Sequence, residues 1–318
     1  MKLGIITSGG DAPGMNAAIV AAARYARSRG IEMLGYVGGY RGMIEHKTVE
    51  LAKTSFRGAL GRGGTLLYTD RCEEFLLREY RLQAYDNLRS DGVEGLVAVG
   101  GDGTFRGARD FFADTGLPIA CVPATIDNDL GYTEFTIGFD TALNNVVNAV
   151  EAIKDTAESH GKVSFVEVMG RKCGNIALHS GIASGADFIL VPERSFDFEE
   201  LSKKAVEKLE AGHHSIIFIV AEGVGKVSEM SVRFKELTGI TPRETSLGFI
   251  QRGGNPTYAD RMLGVRMGAT AVDLLAGGCG AVAVGIRGGE IFDTDLAGAL
   301  GIPSDIDQTL YDLAPGIV

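Results

Sequence analysis

Pro123-Ala124-Thr125-Ile126-Asp127-Asn128-Asp129 follows directly on the apolar run 117–122. A run of that length reads as a buried strand, which makes the segment a loop at the strand's carboxyl end. The loop carries two carboxylates two residues apart, Asp127 and Asp129, with the hydroxyl of Thr125 beside them. On an extended segment side chains alternate, so both aspartates are expected to face one side. A second acidic loop, Gly100-Gly101-Asp102-Gly103-Thr104, follows another apolar run, 95–99. In an α/β protein, loops at the carboxyl ends of neighbouring strands open on one crevice. Three carboxylates gathered there repel one another unless a metal ion or a shared proton offsets them. The combination points to kinase chemistry with magnesium and phosphate.

Outward from these loops, short apolar runs alternate with helical patterns along nearly the whole chain. Runs at 3–7, 95–99, 163–169, 188–191, 216–221 and 281–286 read as buried strands. Helical patterns fall between them at about 16–29, from 104, and at 141–160, 199–210 and 259–275. This order predicts an α/β fold of mostly parallel sheets covered by helices, and 318 residues suffice for two lobes with a cleft between them. No linker-like stretch or internal repeat marks a boundary.

Composition excludes several classes. A net charge of −10 argues against nucleic acid and anionic membranes as main partners, so an anionic substrate needs a local cluster of arginines. Cys72, Cys121, Cys173 and Cys279 stand far apart with no Cys-x-x-Cys pair, which suits reduced thiols rather than disulfides or zinc. No apolar stretch approaches a membrane span, and the first residues form a strand entering a glycine loop rather than a signal peptide. A cytoplasmic protein is expected. Glycine, at 45 residues, is about twice as frequent as average and is expected in tight loops near ligand.

Ser8-Gly9-Gly10-Asp11-Ala12-Pro13-Gly14 lies between a strand and a helix, where glycines let backbone approach phosphate. A plain turn would need fewer such residues. Asp102 stands between glycines, its carboxylate open to magnesium on a polyphosphate, while Thr104 either caps the following helix or bonds a phosphate oxygen. Of Asp127 and Asp129, one is suited to take a hydroxyl proton and the other to face the magnesium shell. An Asx-turn at Asn128 would account for one aspartate but not for both. Most arginines are solvated surface charges. Arg171, in Met169-Gly170-Arg171, and Arg252, in Gln251-Arg252-Gly253-Gly254, stand out because they sit beside glycines at strand ends. Arg71, Lys162 and Arg243 are further candidates. Glu222, after the run 216–221, either bonds sugar hydroxyls or begins a surface loop.

Together these residues resemble the ATP-type 6-phosphofructokinase family, nearly end to end. Thr-Ile-Asp-Asn-Asp combined with Met-Gly-Arg and Gln-Arg-Gly-Gly is highly specific, whereas Gly-Gly-Asp-Gly alone also occurs in other kinases. The resemblance implies two Rossmann-like lobes with the active site in the cleft between them, at 1–138 plus 251–301 for nucleotide and 139–250 plus 302–318 for sugar phosphate. It implies Mg-ATP-dependent phosphorylation of fructose 6-phosphate at C1, with Asp127 as general base and Thr125, Arg71 and Arg171 at the transferring phosphoryl group. Asp102 and Asp129 would position Mg²⁺. Gly10, Tyr40, Gly101, Gly103, Thr104 and Gly107 would line the ATP site. Met169, Gly170 and Glu222 would hold the sugar and Arg252 its 6-phosphate, which Lys162 and Arg243 would reach from a neighbouring subunit. A cytoplasmic homotetramer under allosteric control follows from the same likeness.

Departures from the family pattern carry their own expectations. Pyrophosphate-dependent relatives typically have Asp where Gly103 stands and Lys where Ala124 stands, so ATP is favoured as donor. Phe249 replaces a histidine that reaches the 6-phosphate, and Lys162 replaces an arginine. Cys72 stands where a phenylalanine often packs on adenine, and Leu76 where an arginine often lies. A weaker or altered grip on adenine and on the 6-phosphate is therefore expected. Of the family's effector pocket, Arg24, Lys53, Lys154 and Asp187 keep the charge pattern, while Val20 and Ala211 replace basic residues, so regulation is expected to be weakened or changed. Two competing assignments are the same fold with another donor (pyrophosphate) or another ketose phosphate acceptor, and a non-catalytic sugar-phosphate or nucleotide sensor.

Overall fold

The computed structural model describes residues 1–317, with side chains through Ala314. In chain order the first elements are β1 (Lys2–Ser8), α1 (Met15–Ser28), β2 (Glu32–Tyr36), α2 (Gly39–Ile44), β3 (Thr48–Glu50), α3 (Arg78–Ser90), β4 (Gly95–Gly100), α4 (Asp102–Thr115) and β5 (Ile119–Pro123). The long α5 (Phe139–His160) leads to β6 (Val163–Val168), α6 (Asn175–Ala183), β7 (Phe188–Leu190), α7 (Phe198–Glu210), β8 (Ile216–Ala221), α8 (Val227–Thr238) and β9 (Arg243–Ser246). The chain closes with α9 (Tyr258–Ala276), β10 (Ala281–Arg287), β11 (Glu290–Asp295), α10 (Leu296–Leu300) and α11 (Gln308–Ile317).

It divides into two compact units. The first comprises Met1–Ile126, Leu130–Thr141 and Arg252–Ser304; the second comprises Asp127–Asp129, Ala142–Gln251 and Asp305–Val318.

The first unit is built on a seven-stranded sheet in the order β11-β10-β5-β4-β1-β2-β3. Its five central strands are parallel, and β3 and β11 run antiparallel at the edges. Central strands such as β4 are buried along their whole length, as strands covered on both faces must be. Helix α1 is alanine-rich because α9 lies almost against it: a Cβ at Gly264 or Gly268 would collide with backbone at Gly14 and Ala18. A core of Ile6, Leu96, Ala98, Phe105 and Phe111 fills one side of the sheet.

The second unit has a parallel four-stranded sheet, β7-β8-β6-β9. Phe165, Phe218 and Phe234 form its aromatic core, with Phe165 and Phe218 stacked at 4.5 Å.

The predicted apolar strands and long helices are all present, with ends within a few residues. Strands β2, β3, β9 and β11 and helices α2, α3, α6, α8, α10 and α11 fall outside the predicted set. Strand β9, Arg-Glu-Thr-Ser, is a polar edge strand with no apolar pattern to find.

Candidate active site

In the first unit the strand order reverses between β1 and β4, the place where doubly wound sheets open a crevice. Registers Ser8↔Gly100 and Gly100↔Pro123 bring three predicted loops to one sheet edge. Gly9-Gly10 follows β1, Gly101 to Thr104 follows β4, and Thr125 follows β5. Gly101 lies against Thr125, with a Cβ there 3.3 Å from the threonine Cβ. Gly103 faces open space, with no atom from outside its own helical turn within 4 Å of where its Cβ would be.

Helix α4 begins at Asp102 with no side-chain cap on its first amides, which leaves N–H groups for an anion. Thr104 is buried, and its hydroxyl donates to the Ser8 carbonyl at 3.0 Å. It therefore ties α4 to β1 rather than capping its own helix. Tyr40 is also buried, stacked on Phe75 at 3.9 Å and donating to the Thr104 carbonyl. A Cβ at Gly107 would press on the Tyr40 ring, so this tyrosine supports the loop from beneath. Arg252 packs over Gly10, where any Cβ would collide with its guanidinium, and its Nη1 stands 3.5 Å from Asp11 Oδ1.

Exposed Arg71 rides on a loop that several buried groups hold. Asn16, given no role by its place in the motif, accepts from Leu66 N–H at 2.7 Å and donates to the Arg62 carbonyl at 3.0 Å. Thr7 donates to the Tyr68 carbonyl, and Thr69 to that of Gly9. A buried asparagine in an otherwise alanine-rich helix was the available signal for this anchor.

In the second unit, β6 lies between β8 and β9, and their carboxyl ends carry Met169-Gly170-Arg171, Glu222 and 247–252. Met169, Glu222, Ser246 and Phe249 line a cavity of about 180 Å³. The backbone at Gly170 (φ 139°) and Arg171 (φ 55°) is left-handed. Glu222 Oε1 pins this turn by accepting from both N–H groups, at 3.1 and 2.6 Å. Gln251 accepts from Met169 N–H at 3.0 Å. Glu222 therefore positions Arg171, a task that nothing in the sequence pattern distinguished from sugar binding.

Asp127 is 1% exposed, and Arg171 Nε stands 3.4 Å from its Oδ2. The expected alternation of Asp127 and Asp129 along an extended segment does not hold. The chain bends at Ile126 and Asp127, and Asn128 takes a left-handed φ of 50°, its carbonyl accepting from Asn175 Nδ2 at 2.9 Å. Asparagine is among the few non-glycine residues that adopt this conformation readily. Lys162 and Arg243 line a second cavity of about 480 Å³ with His160, Ser164 and Thr245. In the expected effector pocket, Lys154 donates to the Ser184 and Gly185 carbonyls, and Asp187 pairs with Lys208 at 3.1 Å. Val20 is buried in the core and offers no charge there.

A family model described as Phosphofructokinase matches residues 2–275. The ATP-dependent 6-phosphofructokinase of Clostridium acetobutylicum is 48% identical over 98% of each chain. That of Alkaliphilus metalliredigens is 46% identical, again over 98% of each. The phosphofructokinase structure from Saccharomyces cerevisiae superposes with a TM-score of 0.88 at 33% identity, over 99% of this chain and 46% of the yeast chain. Parallel sheets with these loops at their strand ends define an α/β phosphotransferase. The chain belongs to the phosphofructokinase family.

Proposed function

We propose that this chain is an ATP-dependent 6-phosphofructokinase, transferring the γ-phosphoryl group of ATP to the C1 hydroxyl of fructose 6-phosphate. The observation that carries this assignment is the gathering of the Gly9-Gly10, Gly101-to-Thr104 and Thr125 loops at the switch point of one sheet. Backbone amides there bind phosphate without a Walker-type lysine, and the open space at Gly103 accommodates a nucleotide donor.

In the reaction the C1 oxygen attacks the γ-phosphorus, the bond to the β–γ bridging oxygen breaks, and ADP leaves. Asp127 accepts the hydroxyl proton, and Thr125 contacts the group in transit. Such transfers leave little covalent work to the protein and depend on positioning and charge. Arg171, held by Glu222, and Arg71 supply cations for the equatorial oxygens. Met169 and Gly170 contact the sugar, Arg252 its 6-phosphate, and Lys162 and Arg243 reach that phosphate in a neighbouring subunit of a cytoplasmic homotetramer.

Magnesium fits Asp102. It is usually held by one or two carboxylates plus substrate phosphates, and Asp102 offers a partly exposed carboxylate at a glycine-flanked helix start. Asp129 is the second carboxylate proposed. When bound, the ion would neutralise charge on the polyphosphate.

Replacing Asp127 by Asn tests the assignment of the base. We expect kcat to fall about 10²–10⁴-fold while the equilibrium affinity for fructose 6-phosphate stays within about threefold. Near-normal turnover would remove Asp127 from that role.

A further inference from the structure

Asp102 Oδ2 accepts a 2.8 Å bond from Nε of Arg106, one helical turn further along α4. The side chains are 34% and 52% exposed. An exposed pair at this spacing adds little to the stability of a helix. Its place gives it another consequence. The backbone of this turn is fixed from beneath by Thr104 on Ser8 and by Tyr40 on the Thr104 carbonyl, while the space above Gly103 is open. Arg106 is therefore a movable cation on a fixed turn, paired with the carboxylate assigned to the metal.

We propose that Arg106 determines how this enzyme handles nucleotide without its metal. The guanidinium shields the Asp102 carboxylate, so that a metal-free polyphosphate binds without meeting a bare negative charge. With magnesium bound, the Asp102 carboxylate would be neutralised by the ion, and Arg106 would be dispensable. The inference rests on the assignment of Asp102 to the metal.

The test is calorimetric titration of ATP into enzyme without sugar phosphate, once in EDTA and once in excess magnesium. Arg106→Gln removes the charge and keeps a good helix former. The Kd in EDTA should rise about fivefold or more, the worth of one charge-assisted contact, and stay within about twofold of wild type in magnesium. Arg106→Lys should restore the EDTA value. An equal loss in both media would make Arg106 an ordinary nucleotide contact or a structural residue. No loss in EDTA would make it a solvated helix pair; either result overturns the proposal. Asp102→Asn, titrated in parallel, separates the premise: if magnesium still tightens ATP as in wild type, Asp102 does not meet the metal.

Discussion

Phe249 is 82% exposed and lines the small cavity with Met169 and Glu222, at the position where the family resemblance implies a phosphate-binding histidine. An aromatic ring there offers no hydrogen bond to a phosphate oxygen. Phe249→His should lower KM for fructose 6-phosphate about tenfold, with kcat little changed, since the gain is in uniform binding. An unchanged KM would mean that position 249 does not meet that phosphate. At this scale the chemistry-bearing residue types were legible because glycine, aspartate and arginine at strand ends have few structural reasons to cluster. Division of labour was not. Thr104 and Tyr40 were expected to line the nucleotide site, yet their polar atoms hold backbone carbonyls. Which way a hydroxyl turns depends on a carbonyl far away in sequence, here Ser8, and no local pattern encodes it.

The buried Asp260 controls an element junction. Near the start of α9, it accepts from Gly138 N–H at 2.7 Å, Thr141 N–H at 2.8 Å and the Thr141 hydroxyl, holding the first turn of α5. Desolvation pushes its carboxyl up to about 6, against the bonds from Thr141 and Gly138 that favour the anion. The sign follows from proton binding. The folded state holds the proton more tightly than the unfolded one, so this group's contribution is full below about pH 4 and is lost as pH rises through about 6. Asp260→Asn removes the titration. The stability advantage of wild type over that variant should shrink by about 2 kcal/mol between pH 4 and pH 7, as denaturant unfolding would show. A pH-independent difference would contradict this. Elements with apolar periodicity were readable in advance, whereas β9 and β11 rely on neighbouring strands for their pairing and carry polar or acidic residues.

At the scale of the whole molecule, the two units are each assembled from three separate stretches of chain. No linker composition marks the crossings, because two of them run through continuous helical turns, at Thr141 within α5 and at Gln251 within a 3-10 helix (Gly248–Arg252), and the others through short connecting loops. The proposed tetramer rests on Lys162 and Arg243 sharing one cavity beside the edge strand β9. If Arg243 serves a neighbour's site, Arg243→Glu and Asp127→Asn enzymes, each nearly inactive, should complement after dissociation and reassembly. Random mixing would restore roughly a quarter of the sites. No recovery from a reassembled mixture would place Arg243 in its own subunit's site.

Phosphorylation of fructose 6-phosphate by the purified enzyme with magnesium, comparing ATP and pyrophosphate side by side, decides both donor and acceptor. Fructose 1,6-bisphosphate should form with ATP and not with pyrophosphate. Turnover with pyrophosphate would contradict the donor assigned to Gly103 and Ala124, and silence with both donors would contradict fructose 6-phosphate as the acceptor.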